Sequence, residues 1–329
     1  MSRVVEFAEA GGPEVLTFKN VDVPKAGPGQ VRIRVKAIGL NRAESMWRHN
    51  QYIEPVKFPA RLGYEAVGNV DSVGRDITTI AVGDEVNVIP SFSMNQYGMY
   101  GEVVLAPIHA VVRQPKGLSP LEAASIWMMF ITAYGALIGD AKITSEDAVV
   151  IPGASSSVGL AAIQISNSVG AKSIALTRTS AKRKHLTDAG AKYVIATEEE
   201  DLVKAIDEIT GGQGARVVFD PVGGPTVPKL IKTMSFQGLL YLYGALSDQV
   251  TTVPPLDLIA KILTIKGYNI WTTSGDAQRQ KAAVDFVLAG LEKGTLKPVI
   301  DKVFPFDQIV EAHRYLEASG QFGKIVVTI

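Results

Sequence analysis

One stretch, VVIPGASSSVGLAAIQI at positions 149–165, constrains the fold more than any other part of the sequence. An apolar run typical of a buried strand meets Gly153, and a helical pattern begins near Val158. This order is that of a dinucleotide-binding βαβ unit, whose turn usually carries the three glycines of G-x-G-x-x-G. With Gly159 in the third position, the first two positions hold alanine and serine instead.

Three consecutive serines, Ser155, Ser156 and Ser157, fill this turn. Serine is small enough for a turn that does not require a positive φ, and its hydroxyl can bind a phosphate oxygen or cap the helix. The N–H groups at the start of the helix, including that of Val158, would face the same phosphate. A βα turn that binds no ligand is the alternative, because the motif has few glycines.

Strands and helices alternate along the chain after Ser119, a typical N-cap that Pro120 follows. Strands are predicted at 147–152, 172–177, 193–196, 216–219, 238–243 and 264–269. Helices are predicted at 158–169, 180–189, 200–209, 225–234 and 255–262. This alternation predicts the α/β class, with a doubly wound parallel sheet that helices cover on both faces.

The first 120 residues are β-rich instead, with turn signals at short intervals. In GPGQVRIRVKAIGL, apolar residues alternate with basic ones, as in a strand with one buried face. Several short strands of this kind predict a sandwich or a partly closed barrel. We therefore predict domains at 1–120 and 121–270, with the segment 271–329 returning to the first domain because six strands already complete the parallel sheet.

The end of the second strand in the βαβ unit distinguishes between two cofactors. An NAD site usually has Asp or Glu there, about twenty residues after the fingerprint, to bind the ribose 2′-hydroxyl. This sequence has Arg178 after Thr177 and adds Lys182, with no acidic residue. Such cations would hold an adenosine 2′-phosphate, so NADPH is predicted. A solvated basic helix start is the alternative, although cations are unfavourable at a helix N-terminus.

The composition argues against several classes of protein. Lys plus Arg and Asp plus Glu both number 33, and this formal net charge of zero gives no reason to expect nucleic acid or a membrane surface as partner. There is no cysteine, which fits a reducing, cytoplasmic compartment. The N-terminus has no signal-peptide pattern, and no uninterrupted apolar run reaches about 18 residues, so no membrane span is predicted.

Several segments together resemble the medium-chain dehydrogenase/reductases, in particular their zinc-independent quinone oxidoreductase-like branch. They are GLNRAESMWR, LGYEAVGNVDSVG, VGDEV, ITAYGAL, GASSSVGLAAIQI, FDPVGG and FGKIVV, and the resemblance covers essentially the whole chain. It implies a GroES-like, partly barrel-shaped catalytic domain around a central Rossmann domain, with the cofactor in the cleft between them. It also implies a homodimer, with a tetramer as the alternative.

The zinc-dependent members of this family hold the metal with Cys and with the His of a G-H-E motif. Here the motif reads Gly63-Tyr64-Glu65, and the chain has no Cys. The chain has four scattered histidines, which we interpret as surface or core residues: His49, His109, His185 and His313. Zinc needs three or four ligands in close geometry, so no metal is predicted.

The resemblance also implies roles for individual residues. Asn41 would lie beside the nicotinamide and substrate, with Tyr52 and Tyr64 in the substrate pocket, and these three are the candidate catalytic residues. A turn residue is the alternative for Asn41, and amphipathic packing is the alternative for the two tyrosines. For the cofactor the resemblance implies Asn41, Thr132, Asp220, Gly223, Tyr243, Gly323 and Lys324, which join the residues inferred above from the turn and the strand end: Ser155, Ser156, Ser157, Val158, Arg178 and Lys182.

The predicted function is NADPH-dependent hydride transfer to a small molecule, either a quinone or an electron-poor C=C bond. Two alternatives stay open. One is reversible alcohol–carbonyl oxidoreduction, which lacks an obvious metal or proton relay here. The other is a non-catalytic NADPH-binding protein of a crystallin-like or RNA-binding kind, against which the neutral charge argues mildly.

Overall fold

The computed structural model describes residues 1–329 and divides them into two units. The first unit comprises residues 1–128 and 297–329, and the second comprises residues 129–296. These limits differ from the predicted boundaries after residues 120 and 270, since the helix at 277–292 falls in the second unit.

Sixteen strands and eleven α-helices make up the two units. The strands are β1 Ser2–Phe7, β2 Thr17–Val21, β3 Gln30–Leu40, β4 Ala60–Arg61, β5 Ala66–Val73, β6 Glu85–Val88, β7 Val103–Pro107, β8 Val111–Arg113, β9 Ala148–Ile151, β10 Lys172–Thr177, β11 Tyr193–Ala196, β12 Ala215–Asp220, β13 Met234–Leu242, β14 Thr264–Gly267, β15 Ile300–Pro305 and β16 Lys324–Thr328. The helices are α1 Arg42–Arg48, α2 Pro120–Ala123, α3 Trp127–Tyr134, α4 Ser157–Ser168, α5 Arg183–Asp188, α6 Leu202–Thr210, α7 Val227–Lys232, α8 Pro255–Lys261, α9 Trp271–Ser274, α10 Ala277–Glu292 and α11 Ile309–Glu317.

The second unit is built on a six-stranded sheet in the order β11-β10-β9-β12-β13-β14. All of its strand pairs are parallel. The strand order reverses at β9, which lies at the centre and is buried along its whole length. This is the doubly wound arrangement, so the predicted fold class is confirmed.

The first unit contains a three-stranded sheet and a larger seven-stranded sheet. The long strand β3 is the centre of the larger sheet, because it pairs with β5, β7 and β16. Its apolar residues at 31, 33, 35 and 37 are buried, as the alternation predicts. Antiparallel pairing of β3 with β16 sets Ile325 opposite Leu40, which brings the C-terminal strand beside the start of α1.

One helical stretch, Pro120–Asp140, is long and apolar enough to cross a membrane by length and composition. It is not an uninterrupted apolar run, because it contains Glu122, Ser125 and Thr132. Its most apolar window is 78% buried inside the protein, and core helices of soluble proteins meet the same criterion. The stretch therefore gives only weak support for a membrane span.

Candidate functional site

The turn between β9 and α4 shows how a chain with few glycines keeps this junction tight. Gly153 has φ +59, in the left-handed region that favours glycine. A Cβ on Gly159 would lie 2.7 Å from the carbonyl oxygens of Gly153 and Ala154, so helix and strand pack closely only with glycine there. Ser156 is the N-cap of α4, and its hydroxyl accepts a hydrogen bond of 3.0 Å from the Gly159 N–H.

Other polar groups of the turn remain open. No hydrogen bond within the protein uses the backbone N–H of Ser157 or Val158, which are the first two residues of α4. The Lys182 ammonium donates to the Ser155 hydroxyl at 3.2 Å. Lys182 therefore stands at the serine turn, where its charge and the helix N-terminus both favour an anion.

The carboxyl end of β10 carries the residues that predict the cofactor. The Arg178 side chain is exposed and makes no hydrogen bond or ion pair within the protein. Its backbone carbonyl accepts from the Glu198 N–H at 3.0 Å. Two residues further on, the Ser180 N–H donates to the carboxylate of Glu199 at 3.0 Å. An acid thus stands beside the basic end of the strand, although no acid occupies the strand end itself.

Asp220 ends β12, and Tyr243 directly follows the neighbouring strand β13 of the same sheet. The Asp220 carboxylate accepts from the N–H groups of Val222 and Gly223, at 2.8 and 3.1 Å, and burial raises its pKa from the ordinary 3.8 to about 6. The Tyr243 ring stacks on Phe219 with centroids 4.0 Å apart, and its hydroxyl is buried without a hydrogen-bond partner. Burial raises the pKa of Tyr243 well above its ordinary value, so the unpartnered group is a neutral O–H.

The first unit holds a network of buried polar groups around the start of α1. Asn41 is the N-cap, and its backbone N–H donates to Glu44 at 2.8 Å. Glu44 is fully buried and accepts three further bonds, from the Asn41 amide at 3.2 Å, the Tyr64 N–H at 3.0 Å and the Tyr100 hydroxyl at 2.7 Å. Burial raises the pKa of Glu44, and these donors oppose the rise. Because four donors surround its two oxygens, we infer that the carboxylate is ionised.

A buried ion pair completes the network on the side of β16. The Lys324 ammonium bonds to Glu65 and donates to the Asn41 side-chain oxygen at 2.7 Å. The Asn41 amide group faces the carbonyl of Gly39 at 3.1 Å and Glu65 at 3.3 Å, in addition to Glu44. A Cβ on Gly39 would collide with the Ala124 carbonyl oxygen and also with Lys324 and Glu65, so the backbone contact and the ion pair both require glycine there.

The network continues away from Asn41 through Tyr100 and His313. The Tyr100 hydroxyl lies 3.1 Å from His313 Nε2, and the Arg48 guanidinium lies 2.7 Å from His313 Nδ1. Burial, together with Arg48, lowers the pKa of His313 to about 3, so its ring is neutral. Arg48 also bonds to Glu317, whose pKa is lowered despite the opposing effect of burial. Since arginine can only donate, His313 accepts at Nδ1 and donates from Nε2 to Tyr100.

The hydroxyls of Tyr52 and Tyr64 differ from the groups of this network, because neither has a partner within the protein. Neither oxygen is among the fully buried unpartnered atoms, so both hydroxyls retain contact with solvent, although the Tyr64 ring is only 3% exposed. Burial, and secondly the charge of Glu44, raises the pKa of Tyr52 to about 12. Burial raises the pKa of Tyr64 as well, with further contributions from Tyr52 and Glu44. Both hydroxyls are neutral donors at physiological pH.

The structure groups the predicted site residues within each unit. Asn41, Tyr52, Tyr64 and Lys324 belong to the first unit, and Lys324 is committed to Glu65 and Asn41. The second unit contains Thr132, Ser155, Ser156, Ser157, Val158, Arg178, Lys182, Asp220, Gly223 and Tyr243. Gly323 has φ +111, and a Cβ there would collide with the backbone of Val299, which explains the glycine by chain packing.

Sequence reasoning did not name Glu44, Tyr100 or Glu317, and it interpreted His313 only as a surface or core residue; His313 is fully buried. Asn41 with Glu44 three residues later has the spacing of a capping box, a signal that could have found Glu44. Tyr100 and His313 are 213 residues apart in sequence, so no local pattern could link them. No group of three or more His, Cys, Asp or Glu side chains is placed to hold a metal ion.

Comparisons with known proteins agree with this arrangement of domains. Residues 27–116 match the model of the alcohol dehydrogenase GroES-like domain, and residues 157–289 match the model described as zinc-binding dehydrogenase. Human quinone oxidoreductase is 30% identical over 331 residues, covering 100% of this chain and 98% of the relative.

Two solved structures are similar over almost the entire chain. One is described as an NAD-dependent alcohol dehydrogenase, with a TM-score of 0.91, 31% identity and 99% of each chain covered. The other is Escherichia coli quinone oxidoreductase complexed with NADPH, with a TM-score of 0.90, 28% identity, and 99% of this chain and 100% of that chain covered. The protein therefore belongs to the medium-chain dehydrogenase/reductase superfamily, in its quinone oxidoreductase-like branch.

Proposed function

We propose that this protein is an NADPH-dependent oxidoreductase that transfers a hydride to a quinone or to an electron-poor C=C bond, without zinc. The observation that carries the proposal is the pair of neutral hydroxyls of Tyr52 and Tyr64, which have no acceptor within the protein. Reduction of a quinone or an enone builds negative charge on a carbonyl oxygen. Two neighbouring O–H donors can stabilise that charge without a metal ion.

The residues of the second unit fit NADPH, which supplies the hydride when it is bound. The open N–H groups of Ser157 and Val158, with the Lys182 ammonium beside them, suit the pyrophosphate. Arg178 suits the 2′-phosphate, because its guanidinium has no partner within the protein. The unpartnered hydroxyl of Tyr243 supports a polar ligand at this end of the sheet. The E. coli relative crystallised with NADPH supports the same cofactor. Thr132, Asp220 and Gly223 remain proposed neighbours of the cofactor.

Asn41 is unsuited to the role of stabilising charge on the substrate, although it was a candidate catalytic residue. Its amide group has two hydrogens, and the acceptors around it are Gly39, Glu44 and Glu65. No hydrogen is left for a substrate oxyanion in this arrangement. We therefore assign charge stabilisation to Tyr52 and Tyr64, and propose that Asn41 positions the substrate and the nicotinamide.

Alcohol oxidation is the second candidate, and the similarity to the NAD-dependent alcohol dehydrogenase favours it. That reaction needs a base or a metal ion to take the hydroxyl proton. His313 is poorly suited as the base, because it is buried between Arg48 and Tyr100 and its pKa is lowered to about 3. The tyrosines are donors, which suits reduction better.

Turnover of NADPH with matched panels of quinones, enones and aldehydes tests the proposal. We expect oxidation of NADPH with quinones or enones, and little with aldehydes. Deuterium from C4 of labelled NADPH should appear on the β-carbon of an enone product. Activity with aldehydes alone would favour the second candidate, and binding of NADPH without turnover of any panel would favour the non-catalytic alternative.

We also propose that the protein is a homodimer that pairs through β14. This strand is at the edge of the six-stranded sheet and pairs only with β13. Apolar side chains beside it are exposed, with Leu256 at 78%, Ile259 at 71% and Ile262 at 59%. Ile262 also has φ +51, a conformation that costs a β-branched residue energy. An unpaired edge beside such a patch is a typical place for a second copy to bind.

Sedimentation of the purified protein tests this interface. We expect a dimer for the wild type and a monomer for Leu256→Glu with Ile259→Glu, because two buried carboxylates would oppose association. Glu292→Lys on α10 is a charge-changing control away from this edge and should remain dimeric. A wild-type monomer, or a dimer in the double variant, would reject β14 as the interface.

A further inference from the structure

The segment after β11 supplies an acid to the end of β10. The parallel pairing of the two strands sets Thr177 opposite Ala196, so the residues that follow each strand lie side by side. The Glu198 N–H donates to the Arg178 carbonyl at 3.0 Å, and the Glu199 carboxylate accepts from the Ser180 N–H at 3.0 Å. The carboxylate is therefore held within the loop whose sequence predicts a phosphate.

This loop is where the two nicotinamide cofactors differ. An adenosine 2′-phosphate carries about −1.5 to −2 charges and three acceptor oxygens, so it favours N–H donors and cations. Arg178 offers such a cation, but Glu199 occupies the N–H of Ser180 and adds a negative charge. A ribose 2′-hydroxyl, by contrast, can donate to a carboxylate.

We propose that Glu199 is a specificity-determining residue: by occupying the Ser180 N–H with a carboxylate, it limits the preference for NADPH over NADH that Arg178 creates. This inference rests on the proposed function, since it concerns the same cofactor site. NADPH binding then brings the 2′-phosphate close to the Glu199 charge, whereas NADH brings a hydroxyl that can donate to it. The wild type should accordingly bind NADPH only modestly better than NADH.

The neighbouring glutamates are placed differently, which makes them useful for comparison. Glu200 is bonded to the Arg183 guanidinium and accepts from the Ala196 N–H at 2.7 Å, so it serves the loop itself. The Glu198 side chain is exposed and makes no hydrogen bond or ion pair. Glu198 therefore has the same charge as Glu199, one residue away, without its contact to Ser180.

Titration of the full-length protein with NADPH and NADH tests the proposal. Glu199→Gln keeps an oxygen that can accept from Ser180 and removes only the charge. Its affinity for NADPH should rise about fivefold to tenfold, while that for NADH changes less than about twofold. Arg178→Ala should lower NADPH affinity by about 10- to 100-fold and leave NADH nearly unchanged.

Glu198→Gln is the matched control and should leave the NADPH to NADH ratio near that of the wild type. Equal gains in Glu198→Gln and Glu199→Gln would overturn the proposal, because they would reflect the general field of the loop. An unchanged ratio in Glu199→Gln, with a wild type that binds NADPH, would overturn it too. A wild type that binds neither cofactor would instead refute the proposed function.

Discussion

The two units use their polar groups in opposite ways. In the first unit the groups around α1 satisfy one another: Glu44 accepts four hydrogen bonds, and Asn41 and Lys324 are bonded within the same network. In the second unit, the N–H of Ser157 and the guanidinium of Arg178 have no partner within the protein. One region is a closed network and the other is an open cradle.

The difference teaches which polar residues are available to a ligand. A buried donor or acceptor without a partner costs about 1–3 kcal/mol, so buried groups bond to each other when they can. Exposed groups of a turn can bond to water until an anion replaces it. In the first unit, the hydroxyls of Tyr52 and Tyr64 are unpartnered donors that retain contact with solvent, whereas the unpartnered indole N–H groups of Trp47 and Trp127 are fully buried. The hydroxyls of Tyr52 and Tyr64 are therefore available to a ligand, as the Ser157 N–H and the Arg178 guanidinium are in the second unit.

Removal of these two hydroxyls is the strongest test of that comparison. Tyr52→Phe combined with Tyr64→Phe keeps both rings and removes both donors, so kcat for an enone should fall by about 100- to 1000-fold. Tyr315→Phe is the matched control, because its hydroxyl donates to the exposed Asp301, and it should leave kcat within about twofold. Steady-state kinetics measures both, and an unchanged kcat in the double variant would reject the donor role.

Breaking the closed network should cost stability. Two glutamates occupy the third position of a helix that begins with a polar N-cap: Glu44 is buried after Asn41, and Glu122 is only partly buried after Ser119. In Glu44→Gln an amide N–H must face one of four donors, so the free energy of unfolding should fall by about 3–5 kcal/mol. The matched variant Glu122→Gln should lose about 1 kcal/mol or less.

Urea unfolding, followed by tryptophan fluorescence, compares the two variants. A similar small loss in both would show that Glu44 only caps its helix, and that the buried donors are satisfied without its charge. A large loss confined to Glu44→Gln would distinguish the network from an ordinary capping box.

The sequence predicted the second unit well because its signals are local. The predicted strand at 172–177 matches β10, and the predicted strand at 193–196 matches β11. The strand predicted at 238–243 begins earlier, at Met234. Its first residues pair with β12 before an irregularity near Gln237, which has φ +56, and the register shifts across that irregularity. An apolar pattern cannot show such a bulge.

Apart from the Asn41–Glu44 capping box, the network of the first unit depends on contacts that no local pattern contains. Lys324 reaches Glu65 and Asn41 only because β16 pairs with β3. Tyr100 and His313, which are 213 residues apart in sequence, likewise meet only because the fold brings distant segments into one core. Sequence could therefore name Asn41 as a site residue, but it could not show that the Asn41 amide is already bonded.

In the second unit, the buried carboxyl group of Asp220 should make the free energy of unfolding depend on pH. Its pKa is raised to about 6 by burial, from an ordinary value of 3.8. The native state thus binds the proton more tightly than the unfolded state, so the stabilising contribution is full below pH 3.8 and is lost as the pH rises through about 6. The loss should amount to about 2–3 kcal/mol.

The measurement is the difference in unfolding free energy between wild type and Asp220→Asn from pH 4.5 to 7.5. The asparagine side chain does not titrate, so the wild type should lose stability relative to the variant across this range, about 2 kcal/mol in all. The altered hydrogen bonds to Val222 and Gly223 should add a pH-independent difference to this pH-dependent one. Parallel curves throughout would show that Asp220 keeps an ordinary pKa.

The smallest effect is expected from removing metal ions. The family model that matches residues 157–289 is described as zinc-binding, yet this chain has no cysteine, and the family resemblance puts Tyr64 at the position of a histidine ligand. The neighbouring Glu65 is bonded to Lys324 and to the Met128 N–H, so its oxygens are already used. NADPH oxidation should therefore be the same, within about 10%, before and after dialysis against a chelator, since neutral tyrosine hydroxyls rather than a Lewis acid would meet the developing charge. Stoichiometric zinc in elemental analysis, with activity that is lost on its removal and restored on its return, would contradict this and would place a ligand set outside the closed network.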